Sequence, residues 1–296
     1  MSVRPGADLM RATSGSRRLA GEIMNDPLYA FSAADLPPLL KQHVREKISL
    51  YSIVLSARHE DQSGPPVLGS GTLVTFRGKH CILTAAHVWD EIGKFAFPKL
   101  SVPGFPHPRL IRLDALSLQR VARPPERKYG LWGPDLALIV IPDQLAPEIE
   151  RHAVFYALDK RINDATRSSL MVDRGHWVIF GAPAIHAVAA DTGTNITLEA
   201  YFGACPVRNL RDGFDYLDLG LDRRVGVSLP LEFGGVSGAG CWHFEVMFDA
   251  ARGRLGWDKS LMLEGVAFWQ QEESGRGFIR CHGRESLYGR LLSDAI

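Results

Sequence analysis

Three short segments of the chain place a chemically capable side chain beside the end of an apolar run. Thr84-Ala-Ala-His87-Val follows Cys81–Leu83, Gly133-Pro-Asp135 enters Leu136–Ile141, and Gly234-Gly-Val-Ser237-Gly-Ala-Gly240 precedes the run that opens at Cys241. A histidine, a carboxylate and a hydroxyl in a glycine-rich turn are the residue types that acyl transfer needs. A serine hydroxyl is a poor nucleophile until a neighbouring base accepts its proton. Imidazole titrates near neutrality and suits that task. A buried carboxylate fixes the imidazole tautomer and stabilises the imidazolium that forms. Glycines around the serine let main-chain N–H groups face a developing oxyanion, each donor being worth ~3–4 kcal/mol in a comparable site.

These segments need strands to present them, and the hydrophobic pattern supplies strands. Leu50–Ser56 is rich in β-formers and ends at a polar Gly/Pro-containing loop. Gly71–Phe76 and His80–Thr84 flank Arg77-Gly78-Lys79 and read as a hairpin. Leu110–Leu113 and Leu136–Ile141 are further strands, and residues 146–167, charged and poor in β-formers, read as a connector between two halves. A second strand-rich region spans Gly175–Arg280, with runs at 177–180, 195–201, 241–247, 261–270 and 277–281. Two segments have helical character. In Leu36–Lys47, Leu39, Leu40, Val44 and Ile48 recur at helical spacing behind Pro37 and Pro38, which suit a first turn; Arg284–Ala295 reads as a closing helix. Many short strands with few helices indicate an all-β sandwich or pair of barrels.

Composition narrows the class further. The chain has 296 residues, 46 % hydrophobic and 23 % charged, with a formal net charge of +1, which argues for a globular protein and against a dedicated nucleic-acid binder. No run approaches the ~18 uncharged apolar residues of a spanning helix. The N-terminus has no apolar core of the secretory type. Cys81, Cys205, Cys241 and Cys281 form no CxxC pair, so free buried thiols and a cytoplasmic protein without a membrane partner are expected. Neither the histidines nor the cysteines have metal-ligand spacing, and no Lys-Ser/Thr follows the glycine-rich turn as a phosphate loop requires. His243 and His282 are expected to be barrel or surface residues. An α/β-hydrolase would place its acid and histidine after the serine, and here both precede it.

Taken together, Thr84-Ala-Ala-His87, Asp135-Leu-Ala-Leu and Gly235-Val-Ser237-Gly resemble the three signature blocks of the chymotrypsin/trypsin-like serine peptidases, in that family's chain order. Gly69-Ser-Gly71-Thr-Leu-Val, Phe180-Gly-Ala-Pro183 and Gly265-Val-Ala-Phe268-Trp269-Gln270 are similar to its strand before the histidine hairpin, the opening of its second barrel and its cleft-lining strand. The resemblance covers roughly residues 49–294 and is nearest to bacterial-type intracellular members. Val236 stands where activated secreted members carry an aspartate for the new N-terminus, and Ala239 replaces a glycine.

The resemblance implies two packed antiparallel six-stranded β-barrels, residues 49–165 and 166–296. An N-terminal helical extension over 1–48 and a C-terminal helix would flank them. His87 and Asp135 would come from the first barrel and Ser237 from the second, with the Gly235 and Ser237 amides as oxyanion hole. No metal or organic cofactor is implied. Leu231, Glu232, Phe268, Trp269 and Gln270 would contact substrate. Leu231 offers no acid to a basic side chain, but Glu232 is adjacent, and Glu272 and Glu273 fall between Trp269 and Gly277 in a segment that resembles the family's pocket-rim loop, so a basic or polar and an apolar residue before the scissile bond both stay open. The implied activity is a serine endopeptidase acting on proteins or peptides. The alternative is a non-catalytic or latent barrel protein whose cleft binds peptides or partner proteins. Residues 1–48 could also dock a regulatory partner.

Overall fold

In the computed structural model, the apolar runs of the first half of the chain pair into one sheet. The structure describes residues 36–57, 67–95, 98–102, 109–112, 121–122, 131–161, 175–190, 193–203, 206–221, 234–249, 254–257, 261–273 and 276–294. The first sheet contains β1 (Ser52–Ala57), β2 (Val67–Phe76), β3 (Lys79–Thr84), β4 (Lys99–Val102), β5 (Arg109–Arg112), β6 (Val121–Ala122) and β7 (Ala137–Val140). Their order is β5-β4-β1-β2-β3-β7-β6, all antiparallel, with β8 (Tyr156–Ala157) laid parallel along β2. The expected hairpin joins β2 and β3. Arg77 (φ 46°) and Gly78 (φ 73°) both adopt the left-handed conformation that a two-residue turn requires when Phe76 pairs with Lys79.

The second sheet runs β12-β9-β15-β18-β19-β14-β13. Its strands are β9 (His176–Gly181), β12 (Glu199–Gly203), β13 (Val207–Arg211), β14 (Phe214–Leu221), β15 (Gly240–Phe244), β18 (Met262–Glu273) and β19 (Arg276–His282). Two ribbons, β10–β11 (188–190 with 193–195) and β16–β17 (246–249 with 254–257), stand apart from it.

The chain is thus mostly β with two antiparallel sheets, but the expected pair of closed six-stranded barrels is corrected. Among the described residues the sheets have eight and seven strands, and each ladder is an open path. Closure needs the first and last strands of a sheet to pair. β5 and β6 carry no ladder to each other among the described residues, and neither do β12 and β13, whose side chains are mostly exposed on β13. The stretch 146–167 is also more structured than a plain connector. Its described part holds a helix at Ala146–Glu150 and the strand β8.

Helix α1 (Pro38–Ser49) buries Leu40, Val44 and Ile48 at intervals of four, in one cluster with Trp242, Leu263, Leu287 and Leu291. Leu39, expected on the same face, is 70 % exposed, because one residue of an α-helix turns the side chain ~100° away. Residues 1–35 of the expected extension lie outside the described residues. Trp242 of the second sheet meets Tyr51 and Tyr156 of the first half at ring distances of 5.5 and 5.1 Å, so the sheets share an aromatic core. The closing helix is a π-helical segment at Glu285–Leu291 followed by one α-turn, Leu292–Asp294. Its start is held by Asp215, which accepts from the Ser286 N–H at 2.7 Å. Cys81, Cys241 and Cys281 are buried and free, as expected, and Cys205 is outside the described residues. Among the described residues, no helix is long and apolar enough to cross a membrane.

Candidate active site

The register of the first sheet brings two of the candidate residues together. Thr84 pairs with Ala137, so the chain leaving β3 and the chain entering β7 lie side by side. Ala85 and Ala86, both buried, leave room for the chain to turn into helix α2 (Ala86–Ile92), and His87 occupies its first turn. Asp135 sits two residues ahead of β7 and is 2 % exposed. Its carboxylate accepts from the His87 main-chain N–H at 2.9 Å and lies 2.5 Å from His87 Nδ1. An ionised carboxylate is acceptor-only, so Nδ1 carries the proton and Nε2 is left as the basic nitrogen. The ring is partly exposed while its partner is buried. This is the arrangement of a base oriented by an acid.

Ser237 lies in the turn before β15, between two glycines with left-handed backbone, Gly235 (φ 88°) and Gly238 (φ 89°). A Cβ on Gly235 would collide with the Ala182 carbonyl, and one on Gly238 with the Ser70 carbonyl and Thr84 Oγ1. Gly238 and Ala239 spend their N–H groups on Ala267 O (2.7 Å) and Val236 O (2.9 Å). Among the described residues no hydrogen-bond partner occurs for the Gly235 or Ser237 amide. His87, Asp135 and Ser237 all line one cleft of about 630 Å³.

Three of the remaining candidates lie on the same cleft. Phe268, Trp269 and Gln270 line it, with Phe268 buried and Trp269 38 % exposed. Val236, Ala267 and Ile279 extend its apolar wall. Leu231 and Glu232 lie outside the described residues. Glu272 and Glu273 end strand β18 and pair with Gly277 and Arg276, so they belong to a β-ladder and not to a rim loop.

Four lining or supporting residues escaped the sequence reading. Asp90 and Glu91, on α2 one turn after His87, line the cleft. Ser70, on β2, holds the serine turn from the other sheet. Its N–H donates to Ser237 O at 2.8 Å, its hydroxyl donates to Gly235 O at 2.7 Å, and that hydroxyl accepts from the Ala182 N–H at 3.0 Å. The Gly69-Ser-Gly71 pattern was the available signal, since each flanking glycine lets a neighbouring side chain, Val88 or Ile82, pack against the main chain. His282, expected in the barrel or at the surface, is fully buried at the end of β19 and accepts from the Asp135 N–H at 2.9 Å through Nε2. Burial lowers its pKa from 6.5 to about 3, so it is neutral. Among the described residues no group of three or more His, Cys, Asp or Glu side chains is placed to hold a metal ion.

No protein-family model matches the chain, and no curated protein matches it. Solved structures do. The protease Anisep from Arthrobacter nicotinovorans superposes over 83 % of this chain and 95 % of its own at 13 % identity, TM-score 0.45. The HtrA-type protease AlgW with a tripeptide superposes over 82 % of this chain and 60 % of its own at 14 % identity, TM-score 0.43. AlgW with a decapeptide gives 84 % and 65 % at 13 % identity, TM-score 0.41. At these scores the chain's own side chains, and not its neighbours, carry the assignment of function.

Proposed function

We propose that the protein is a serine endopeptidase of the chymotrypsin/trypsin-like kind. The carrying observation is the His87 ring held by a buried Asp135 in the cleft that Ser237 lines. In this reading Ser237 Oγ attacks the carbonyl carbon of a peptide bond while His87 Nε2 takes its proton. The tetrahedral oxyanion is met by the N–H groups of Gly235 and Ser237. His87 then protonates the leaving amine, and the C–N bond breaks to leave an ester on Ser237. Water, deprotonated by His87, cleaves that ester and regenerates the hydroxyl. Asp135 holds the Nδ1–H tautomer throughout.

The lining of the cleft supports a substrate class. Val236, Ala267, Phe268 and Ile279 offer an apolar wall, and Asp90 and Glu91 supply the carboxylates nearest to His87 along its helix. No Lys or Arg side chain lines the cleft among the described residues. Peptides that place an apolar residue close to a basic one are the expected substrates.

A fluorophosphonate probe tests the assignment. The folded protein is expected to take one adduct, on Ser237, and Ser237→Ala is expected to take none and to lose cleavage of a peptide library. A folded protein that cleaves nothing in the library and forms no Ser237-dependent adduct would overturn the peptidase reading in favour of a protein whose cleft binds peptides without cleaving them.

A further inference from the structure

Strand β19 of the second sheet reaches across to the segment that delivers Asp135 in the first. Arg280 and His282 are two residues apart and therefore project from the same face of β19. Arg280 Nη1 donates to the Leu131 carbonyl at 2.9 Å, and its guanidinium carbon lies 3.7 Å from the centre of the Trp132 ring. The guanidinium is itself fixed by Asp218, the residue paired with it on β14, at 2.6 and 2.8 Å. Two residues on, His282 Nε2 accepts from the Asp135 N–H at 2.9 Å. The segment 131–135 is thus held at both ends by one strand of the opposite sheet.

The His282 ring is in turn built in on its other sides. It stacks on Phe268 with ring centres 4.3 Å apart and planes at 24°, and it lies 5.1 Å from the Tyr216 ring. Gly133 is needed for its approach, since a Cβ there would stand 2.8 Å from Nε2. Because Nε2 accepts, the proton must sit on Nδ1, and Nδ1 is buried without a hydrogen-bond partner among the described residues. A wholly apolar ring would avoid that penalty but would strand the buried Asp135 N–H instead. A histidine at this place is therefore explained by its acceptor.

We propose that His282 is a positioning residue for the His87–Asp135 pair, gripping the Asp135 main chain from the second sheet so that the carboxylate meets both N–H groups of His87. It touches no substrate in this arrangement. Its consequence is that the acid of one sheet is aligned by the sheet that carries Ser237. The kinetic part of the role rests on the peptidase reading; the alignment of Asp135 does not.

The test compares His282→Phe, which keeps an aromatic ring but no acceptor, with His282→Gln, whose Oε1 stands in for Nε2. The first readout is the low-field proton resonance of His87 Nδ1–H, assigned by its loss in His87→Ala. It is expected to shift and broaden in His282→Phe and to return in His282→Gln. The second is turnover of a peptide substrate. His282→Phe should lower kcat between about tenfold and about hundredfold with KM within about twofold, the pattern of a misplaced catalytic group and not of lost substrate binding. His282→Gln should regain most of that loss. An unchanged resonance in a folded His282→Phe protein would overturn the proposal, as would a His282→Gln protein that melts like wild type yet shows the resonance of His282→Phe. A wild-type protein with the resonance and no turnover would refute the peptidase reading alone and leave the alignment of Asp135 supported by the resonance in the variants.

Discussion

Asp135 combines three demands in one side chain and its own amide. The carboxylate is buried, accepts twice from His87, and its main-chain N–H is spent on His282. Replacing it with asparagine preserves the shape but puts a donor where the His87 Nδ1–H must find an acceptor. The ring would then turn or take the other tautomer, with Nε2 protonated and unable to act as base. Asp135→Asn should lower kcat by on the order of 10⁴-fold, with a much smaller change in KM, in steady-state kinetics on a cleaved peptide. The nucleophile is separable from the fold: Ser237→Ala should leave the melting temperature close to wild type while removing turnover, because Ser237 lines the cleft and is only partly buried.

Among the elements, the serine turn depends on β2. Ser70 supplies a donor and an acceptor from its hydroxyl and a donor from its main chain to residues 182, 235 and 237. Ser70→Ala leaves the Ala182 N–H and the Gly235 carbonyl without that partner. It should cost roughly 1–3 kcal/mol in denaturant unfolding, and slow fluorophosphonate labelling of Ser237 by loosening the turn. Helix α1 is likewise structural. Leu40, Val44 and Ile48 belong to the core that contains Trp242, and Val44→Ala should destabilise by roughly 1–3 kcal/mol in the same assay. A wild-type unfolding curve for Val44→Ala would show that the helix is an appendage. Leu39→Ala, on the exposed side of the same helix, is the matched control and should change stability by less than about 0.5 kcal/mol.

For the whole molecule, the sheet-to-sheet contacts predict how stability responds to acid. Burial holds His282 at a pKa of about 3 against 6.5 for a free histidine. Between these values the unfolded chain binds a proton that the folded chain does not, so stability falls as pH drops below about 6.5 and this contribution levels off near pH 3. Between pH 7 and pH 5, wild type should lose on the order of 2 kcal/mol more than His282→Gln in chemical denaturation. Equal losses in the two proteins would show that His282 titrates in the folded protein as it does in the unfolded chain.

How much of this was readable in advance depends on the distance over which each feature is decided. The β2–β3 hairpin, the strand before His87, the strand after Asp135 and the glycines beside Ser237 are set within a few residues, by strand propensity, side-chain size and allowed φ. All of these were legible in the sequence, including the order of the three chemically capable residues. Whether the sheets close, which face of α1 is covered and where Glu272 and Glu273 fall depend on what packs alongside. Leu39 and Leu40 are both leucines, and only the position of Trp242 and Leu263 makes one core and the other surface.

By itself, then, the sequence determined which residues have the types that acyl transfer needs and the local turns that display them, because those follow from side-chain type and short-range sterics. The tertiary structure alone decided what holds them in register. Ser70 meets Gly235 across 165 positions and Asp135 meets His282 across 147. A hydrogen bond requires its atoms within about 3 Å, and no local pattern records which distant strand will bring an acceptor that close.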